Sequence, residues 1–300
     1  MNKKVILIVA ASMVVAGSVF WALGLKGGAS PVIYIGNRNA ADYENKKERG
    51  TIDISEFDTL TINADSVDVR ILEGDEFKLE YYVRKEKIPE VSQEGKNLVI
   101  NQPDVKEPIF IFSWDSDLET YEESNYTITV PKDMAPLNVD IKNSDDDIVI
   151  NGVDMNGAIV ADNDDIEIDN VSSSNLSVKA SDGKIRLNNS EFDKLTLENS
   201  DEDVFAEKCT INNLEAKSSS HAITLDDVKI NTADLKAGDD IRIDIVGQND
   251  YAFDLVSNDE DDVVVGENKM EGSYKTDSGS GKSITAKSDS GKIIVSFSGE

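Results

Sequence analysis

Between Leu176 and Ile185 the chain reads LSVKASDGKI, and it returns to that pattern again and again. Two apolar residues alternate with outward ones, a small residue follows, four polar residues form a turn, and an Ile or Val closes the unit. The same spacing joins Val139 to Ile148, Gly157 to Ile166, Leu195 to Val204, Leu214 to Ile223 and Ile284 to Ile293, and copies one residue shorter or longer end at Ile241 and Val263. The closing residues Ile148, Ile166, Ile185, Val204, Ile223 and Ile241 fall 18 or 19 residues apart. Alternation with a period of two makes strands, and their recurrence at this longer period makes stacked coils. The expected fold is all-β: a β-solenoid (β-helix-like) of ~19-residue coils, preceded by one N-terminal transmembrane helix.

Two further columns follow from the same spacing. Ile150, Ile168, Leu187, Ala206, Leu225, Ile243, Val265 and Val295 each stand two residues after a closing residue and should share its inward face. Val153, Val171, Cys209, Val228 and Val246 form a third column that only Ser190 interrupts. Seven or eight coils at ~4.8 Å would make a rod of roughly 35–40 Å.

From Val5 to Leu25 there is no charged residue, and Lys3 and Lys4 precede the stretch. At ~1.5 Å per residue it is long enough to cross a bilayer core of ~30 Å. The lysines would remain cytoplasmic, placing the rest outside the cell membrane as a single-pass protein. A cleaved signal peptide is the rival reading, but the apolar run is long and no A-x-A site lies just beyond Leu25. The chain then divides into a cytoplasmic tip and anchor (1–26), a spacer (27–50), an irregular β cap and first coil (51–136), and the repeats (137–300). Candidate strands in the cap cover 77–83, 97–102, 109–114 and 126–130, and 266–282 breaks the period as a loop.

Charge narrows the partners. Fifty-nine Asp and Glu against 30 Lys and Arg give a net charge of −29, which repels nucleic acid and argues against binding it. The acids concentrate in the turns, where Asp145, Asp146, Asp164, Asp165, Asp201, Glu202, Asp239, Asp240, Asp259 and Asp261 should line one edge of the stack. Such carboxylates are candidates for weak Ca²⁺ or Mg²⁺ association. Asp, Asn, Ser and Gly are also ordinary turn residues, and neither an EF-hand loop nor the glycine-rich calcium nonapeptide is present. Solvated turn chemistry is therefore the first reading, and no cofactor is implied. Gly183 and Gly291 occupy the third turn position, which suggests a positive φ there.

No catalytic constellation emerges, so the chain reads as a non-enzyme. His221, the only histidine, sits in a turn beside Ser219 and Ser220 with no G-x-S-x-G motif. Cys209, the only cysteine, falls in an apolar column. Arg186 and Arg242 stand three coils apart, ~14 Å, too far to act together. Phe110, Phe112 and Trp114 in IFIFSW are the candidates for contact with a partner protein or glycan, against the alternative that they bury the end of the solenoid.

The anchor, the segment YTITVPKD from Tyr126 to Asp133, and the turns ASDGKI and KSDSGKII together resemble a bacterial family of "putative adhesins" with β-strand repeats, LiaG-like membrane-anchored cell-envelope proteins among them. The resemblance implies a surface β-solenoid and no catalytic residue. Several coils here replace the glycine of the family's S-x-G-[DK]-I turn by an acid. The expected function is a membrane-anchored extracytoplasmic scaffold or envelope-stress accessory, with an envelope protein or cell-wall polymer as partner. The alternative is a surface adhesin or carbohydrate binder using the solenoid face or the aromatic cap.

Overall fold

A computed structural model describes residues 47–105, 124–258 and 262–299, with the backbone alone of Ile33–Ile35 and Ile109–Phe112. The expected span from Val5 to Leu25, Trp114, Asp259, Asp261 and the side chains of Phe110 and Phe112 lie outside the described residues. No helix among the described residues is long and apolar enough to cross a membrane. Contacts divide the chain into two units, 1–47 with 104–122, and 48–103 with 123–300. In the first, Ile33–Ile35 pairs antiparallel with Ile109–Phe112, so a short strand falls within the segment read as spacer.

The second unit is the solenoid. Strand Leu176–Ala180 pairs in parallel with Met155–Ala161 on one side and Glu191–Asn199 on the other. Ile185–Asn188 lies likewise between Ile166–Asp169 and Val204–Glu207. Like therefore stacks on like: Ile148, Ile166, Ile185, Val204, Ile223 and Ile241 form one continuous ladder. Each of these residues is fully buried, as are Ile150, Ile168 and Leu187 two positions on. The alternation forces this, because a one-residue slip would turn every apolar side chain outward.

The third column needs one correction. Val153, Val171, Cys209 and Val228 are buried as expected, but Ile245 rather than Val246 pairs with Val228. The register shifts between Leu225 and Val228, and Ile245 is fully buried while Val246 is half-buried. This coil is short, so a fixed count from Ile241 overshoots by one. Ser190, the polar interruption, keeps its buried place by accepting the Val171 amide at 3.0 Å and donating to the Asn188 carbonyl at 2.7 Å.

Both ends depart from chain order. Thr59–Asn63 and Asp68–Gly74 make a regular coil on Leu137–Asn143 and Ile148–Asn151. Asn97–Asn101 and Asn125–Pro131 make a further parallel coil beyond it. Antiparallel strands Glu90–Glu94 and Lys78–Arg84 then cover it. At the other end the last coil in sequence, Ser283–Ser288 with Ile293–Ser298, is inserted between neighbours: Ile293 pairs with Ile241 on one side and Val263 on the other. The segment read as a loop supplies the closing strands, with Asn268–Glu271 antiparallel to Asp262–Val265 and Ser273–Thr276 antiparallel to Ala252–Ser257. Parallel coils alone would leave bare edges at both ends. Lys47–Ile52 pairs in turn with Lys78–Arg84, and the other closing strands carry charged residues such as Glu90, Glu94, Lys269 and Lys275, which discourage further pairing.

Aromatic rings seal the core at each end. Phe57 packs on Phe77 with centroids 5.2 Å apart, and the buried Tyr126 hydroxyl donates to the Lys87 carbonyl at 2.5 Å. Tyr251 packs near Phe253 and Phe297, with centroids 6.1 and 6.4 Å away, and donates to the Ile230 carbonyl at 2.5 Å. Each hydroxyl finds a carbonyl, so the ring is buried without stranding its polar tip.

Candidate functional site: the stacked acidic turns

The acidic turns do line one edge. The Asn163 amide donates to the Ser144 carbonyl at 3.0 Å, Asp182 to Asp162 at 2.8 Å and Asp201 to Ser181 at 2.9 Å. Each turn thus hangs from the one before it, and carboxylates recur along the edge.

The last residue of the turn carries a repeated interaction. Asp147 Oδ1 accepts the Asp165 amide at 3.0 Å, and Asp165 Oδ1 accepts the Lys184 amide at 2.7 Å. Asp203 Oδ1 accepts the Ala222 amide at 3.1 Å, and Asp240 Oδ1 accepts the Lys292 amide at 2.7 Å. In every case the donor is the equivalent residue one coil further along the stack. The strand ladder provides no partner for an amide at a turn, so the aspartate satisfies it. Lys184, Ala222 and Lys292 have no acceptor at this position, and the series breaks after each of them.

The small residue before the turn works similarly. Buried Asn199 donates to the Gly183 carbonyl at 2.7 Å and accepts the Asp201 and Glu202 amides at 3.2 and 3.1 Å. Ser218 donates to the Glu202 carbonyl at 3.1 Å, and Ser288 to the Asp239 carbonyl at 2.8 Å. Where this residue is Ala161 or Ala180, it contributes no such bonds.

Gly183 and Gly291 do not have positive φ, contrary to expectation. They are small because the neighbouring turn is close: a Cβ on Gly183 would lie 1.9 Å from the Asp164 carbonyl oxygen, and one on Gly291 would lie 2.4 Å from the Asp240 amide nitrogen. The left-handed residues stand at the next corner, where Gly152, Asn170, Asn189, Lys208 and Asp227 have φ of 74°, 55°, 49°, 52° and 51°. Glycine, asparagine and aspartate accept that conformation, so a signal for this column was present at the coil spacing. Lys208 departs from it.

The candidate ligands are dispersed in role. Asp165 and Asp240 pair with Arg186 and Arg242, which leaves each arginine occupied by its own carboxylate. Asp145 accepts from Asn163, and Asp201 accepts from Ser220 at 3.2 Å. Asp146, Asp164, Glu202 and Asp239 lie in the same turns. Among the described residues, no group of three or more Asp, Glu, His or Cys is placed to hold a metal ion.

The local fields differ along the edge. Burial pushes the Asp146 carboxyl up to about 7, reinforced by the charges of Asp68 and Asp164 and opposed by Lys87. Asp164 is raised as well, through burial and then Asp147. For Asp165 burial acts upward too, but the hydrogen bonds from Arg186 and the Lys184 amide outweigh it and hold the carboxyl below its usual range.

The remaining residues with chemical potential are structural in position. Cys209 is buried, its thiol pushed up to about 11 by desolvation, and Sγ donates to the Glu207 carbonyl at 3.3 Å. His221 is exposed, and its backbone amide donates to Ser218 Oγ at 3.2 Å. A shallow hollow of about 410 Å³ is lined by Lys194, Asn213, Thr232, Asp234, Ser283 and Thr285. The apolar repeat does not point to it: Lys194, Asn213, Thr232 and Ser283 stand just before the ten-residue unit, and Asp234 and Thr285 are outward residues within it.

The Toastrack family profile (DUF4097) matches residues 57–296. Similar solved structures include a "putative adhesin" from Bacteroides fragilis, 13% identical, covering 85% of this chain and 98% of that one with a TM-score of 0.45. Another "putative adhesin", from Parabacteroides distasonis, is 12% identical over 85% of this chain and 98% of that one, with a TM-score of 0.44. A "putative lipid binding protein" from the same species is 16% identical over 85% and 96%, with a TM-score of 0.33. No curated protein matches the sequence.

Proposed function

The chain belongs to the Toastrack family, and from that premise we propose that it is a membrane-anchored, extracytoplasmic and non-enzymatic scaffold or stress-response accessory of the cell envelope. The observation that carries this reading is the use made of the turn acids. Asp147, Asp165, Asp203 and Asp240 each hold an amide of the neighbouring coil, so the polar residues most suggestive of a site serve to join the coils. The anchor rests on the charge-free stretch from Val5 to Leu25 behind Lys3 and Lys4. A protein of this kind works by presenting a rigid surface to an envelope protein.

A second reading has a specific observation behind it. The hollow beside Asn213, Thr232 and Ser283 offers amide and hydroxyl groups to a polyhydroxylated ligand, which favours a carbohydrate-binding adhesin.

Affinity capture from solubilised envelopes with the full-length chain separates the two. The scaffold reading expects a defined envelope protein to be retained, and that retention to survive Asn213→Ala with Thr232→Ala. Capture of cell-wall polymer alone, lost in that double variant, would replace it with the adhesin reading. Turnover of an envelope polymer, abolished by one polar substitution, would overturn both.

A further inference from the structure

On the outward face of the long strands, with the exception of Glu198, acids and lysines fall in separate columns. On one side stand Asp140, Glu215 and Asp234; two residues further along the same strands stand Lys142, Lys217 and Lys236. Register fixes these as true columns, because Glu215 pairs with Asp234 and Lys217 with Lys236 in adjacent coils. Lys287 pairs with Lys236 and extends the basic column; Lys179 lies further along it, separated from Lys217 by Glu198, which it meets at 3.6 Å. Where like charges stand directly opposite, at Glu215 with Asp234 and along Lys217, Lys236 and Lys287, they repel within one molecule. Signs alternate only at Lys179, Glu198 and Lys217. The ion pairs on this face are weak: Lys142 meets Asp140 at 3.4 Å, Lys179 meets Glu198 at 3.6 Å and Lys236 meets Asp234 at 3.6 Å, all about half exposed.

We propose that this face binds the same face of a second copy, the two chains related by a two-fold axis running along the stack. Such an axis keeps each coil level with its counterpart and exchanges left for right, so the acidic column of one copy lies over the lysine column of the other. Glu215 then meets Lys217 of the partner copy, and Asp234 meets Lys236. The rung between the charged ones is apolar, and Ala158 falls opposite Val160. Ser177 and Thr285 meet the remaining lysines, and Thr196 meets Glu198, so no rung sets like charge against like. A two-fold across the stack would place lysine over lysine, which selects the parallel arrangement. The contact is one narrow sheet face held by a few charged rungs, a weak association that ionic strength should control. The proposal does not depend on the scaffold reading.

The experiment uses two variants of the full-length chain in detergent. In one, Lys142→Glu, Lys217→Glu, Lys236→Glu and Lys287→Glu make the face acidic; in the other, Asp140→Lys, Glu215→Lys and Asp234→Lys make it basic. Sedimentation at low ionic strength should show wild type self-associating, each variant alone at half the wild-type limiting mass, and the mixture as a salt-sensitive heterodimer. Circular dichroism confirms that the exposed substitutions leave the fold intact. A mixture that stays unassociated, or variants that self-associate as wild type does, would overturn the proposal.

Discussion

Asp165 ties together three coils: its Oδ1 accepts the Lys184 amide at 2.7 Å, its other oxygen meets Arg186, and its own amide donates to Asp147 at 3.0 Å. One turn residue thus acts as acceptor for the coil above and donor to the coil below. Removing the carboxylate strands a polar amide between turns, which costs about 1–3 kcal/mol. Asp165→Ala should lower the unfolding free energy by that amount, read as a lower denaturation midpoint. Because the folded-state carboxyl is held below its usual range, the stabilisation is present above the unfolded value of about 4 and fades as pH falls through the lower folded value. The loss from Asp165→Ala should accordingly shrink when unfolding is measured in acid.

Asp146 predicts the opposite trend. Its carboxyl is raised to about 7, so the folded state holds the proton more tightly than the unfolded chain does. Stability from this group is greatest below about pH 4 and declines as pH climbs toward 7. Asp146→Asn, which removes the charge, should stabilise the protein by about 1–2 kcal/mol at pH 8 and by little at pH 4. Urea melts at the two pH values check this.

Lys208 holds φ at 52° in a column otherwise made of Gly, Asn and Asp. The left-handed region crowds a Cβ, and asparagine tolerates it better than lysine. Lys208→Asn should stabilise by about 0.5–1 kcal/mol, since the exposed contact with Glu207 contributes little. An unchanged urea midpoint would argue against strain at this corner.

Gly183→Ala places a methyl group 1.9 Å from the Asp164 carbonyl oxygen, so the stacked turns must part. The expected cost is about 1–3 kcal/mol. Gly279→Ala is the control, because nothing lies within 4 Å of its Cβ position and its φ is not positive. The thermal midpoints of the two variants should differ clearly.

These positions also show what the sequence makes legible. The ladder through Ile166, Ile185 and Val204 could be drawn from spacing because burial at every rung selects the same kind of side chain. The same spacing misplaces the left-handed corner. Glycine at position 183 answers to a close neighbour and glycine at 152 to φ, and composition alone does not distinguish these causes. Spatial order was hidden for a different reason. A periodic pattern identifies copies but not adjacency, so nothing in the residues around Ile293 reveals that it lies between Ile241 and Val263. The turn acids were visible as a group, yet Asp147 and Asp203 were not distinguished as the coil-joining members. Only the stacked geometry separates the last turn position from the two before it.

The account rests on the claim that these carboxylates act as hydrogen-bond acceptors between coils and not as a cation site. Asp203 tests it most directly, because it accepts the Ala222 amide at 3.1 Å and, unlike Asp165 and Asp240, has no arginine across from it. Asp203→Asn keeps a carbonyl acceptor and removes the charge; Asp203→Ala removes both. The measurement is the urea denaturation midpoint of the two variants with and without calcium. The account predicts near wild-type stability for Asp203→Asn, a loss of about 1–3 kcal/mol for Asp203→Ala, and no added dependence on calcium in wild type over either variant. Equal loss in both variants, with calcium stabilising only the wild type, would contradict it.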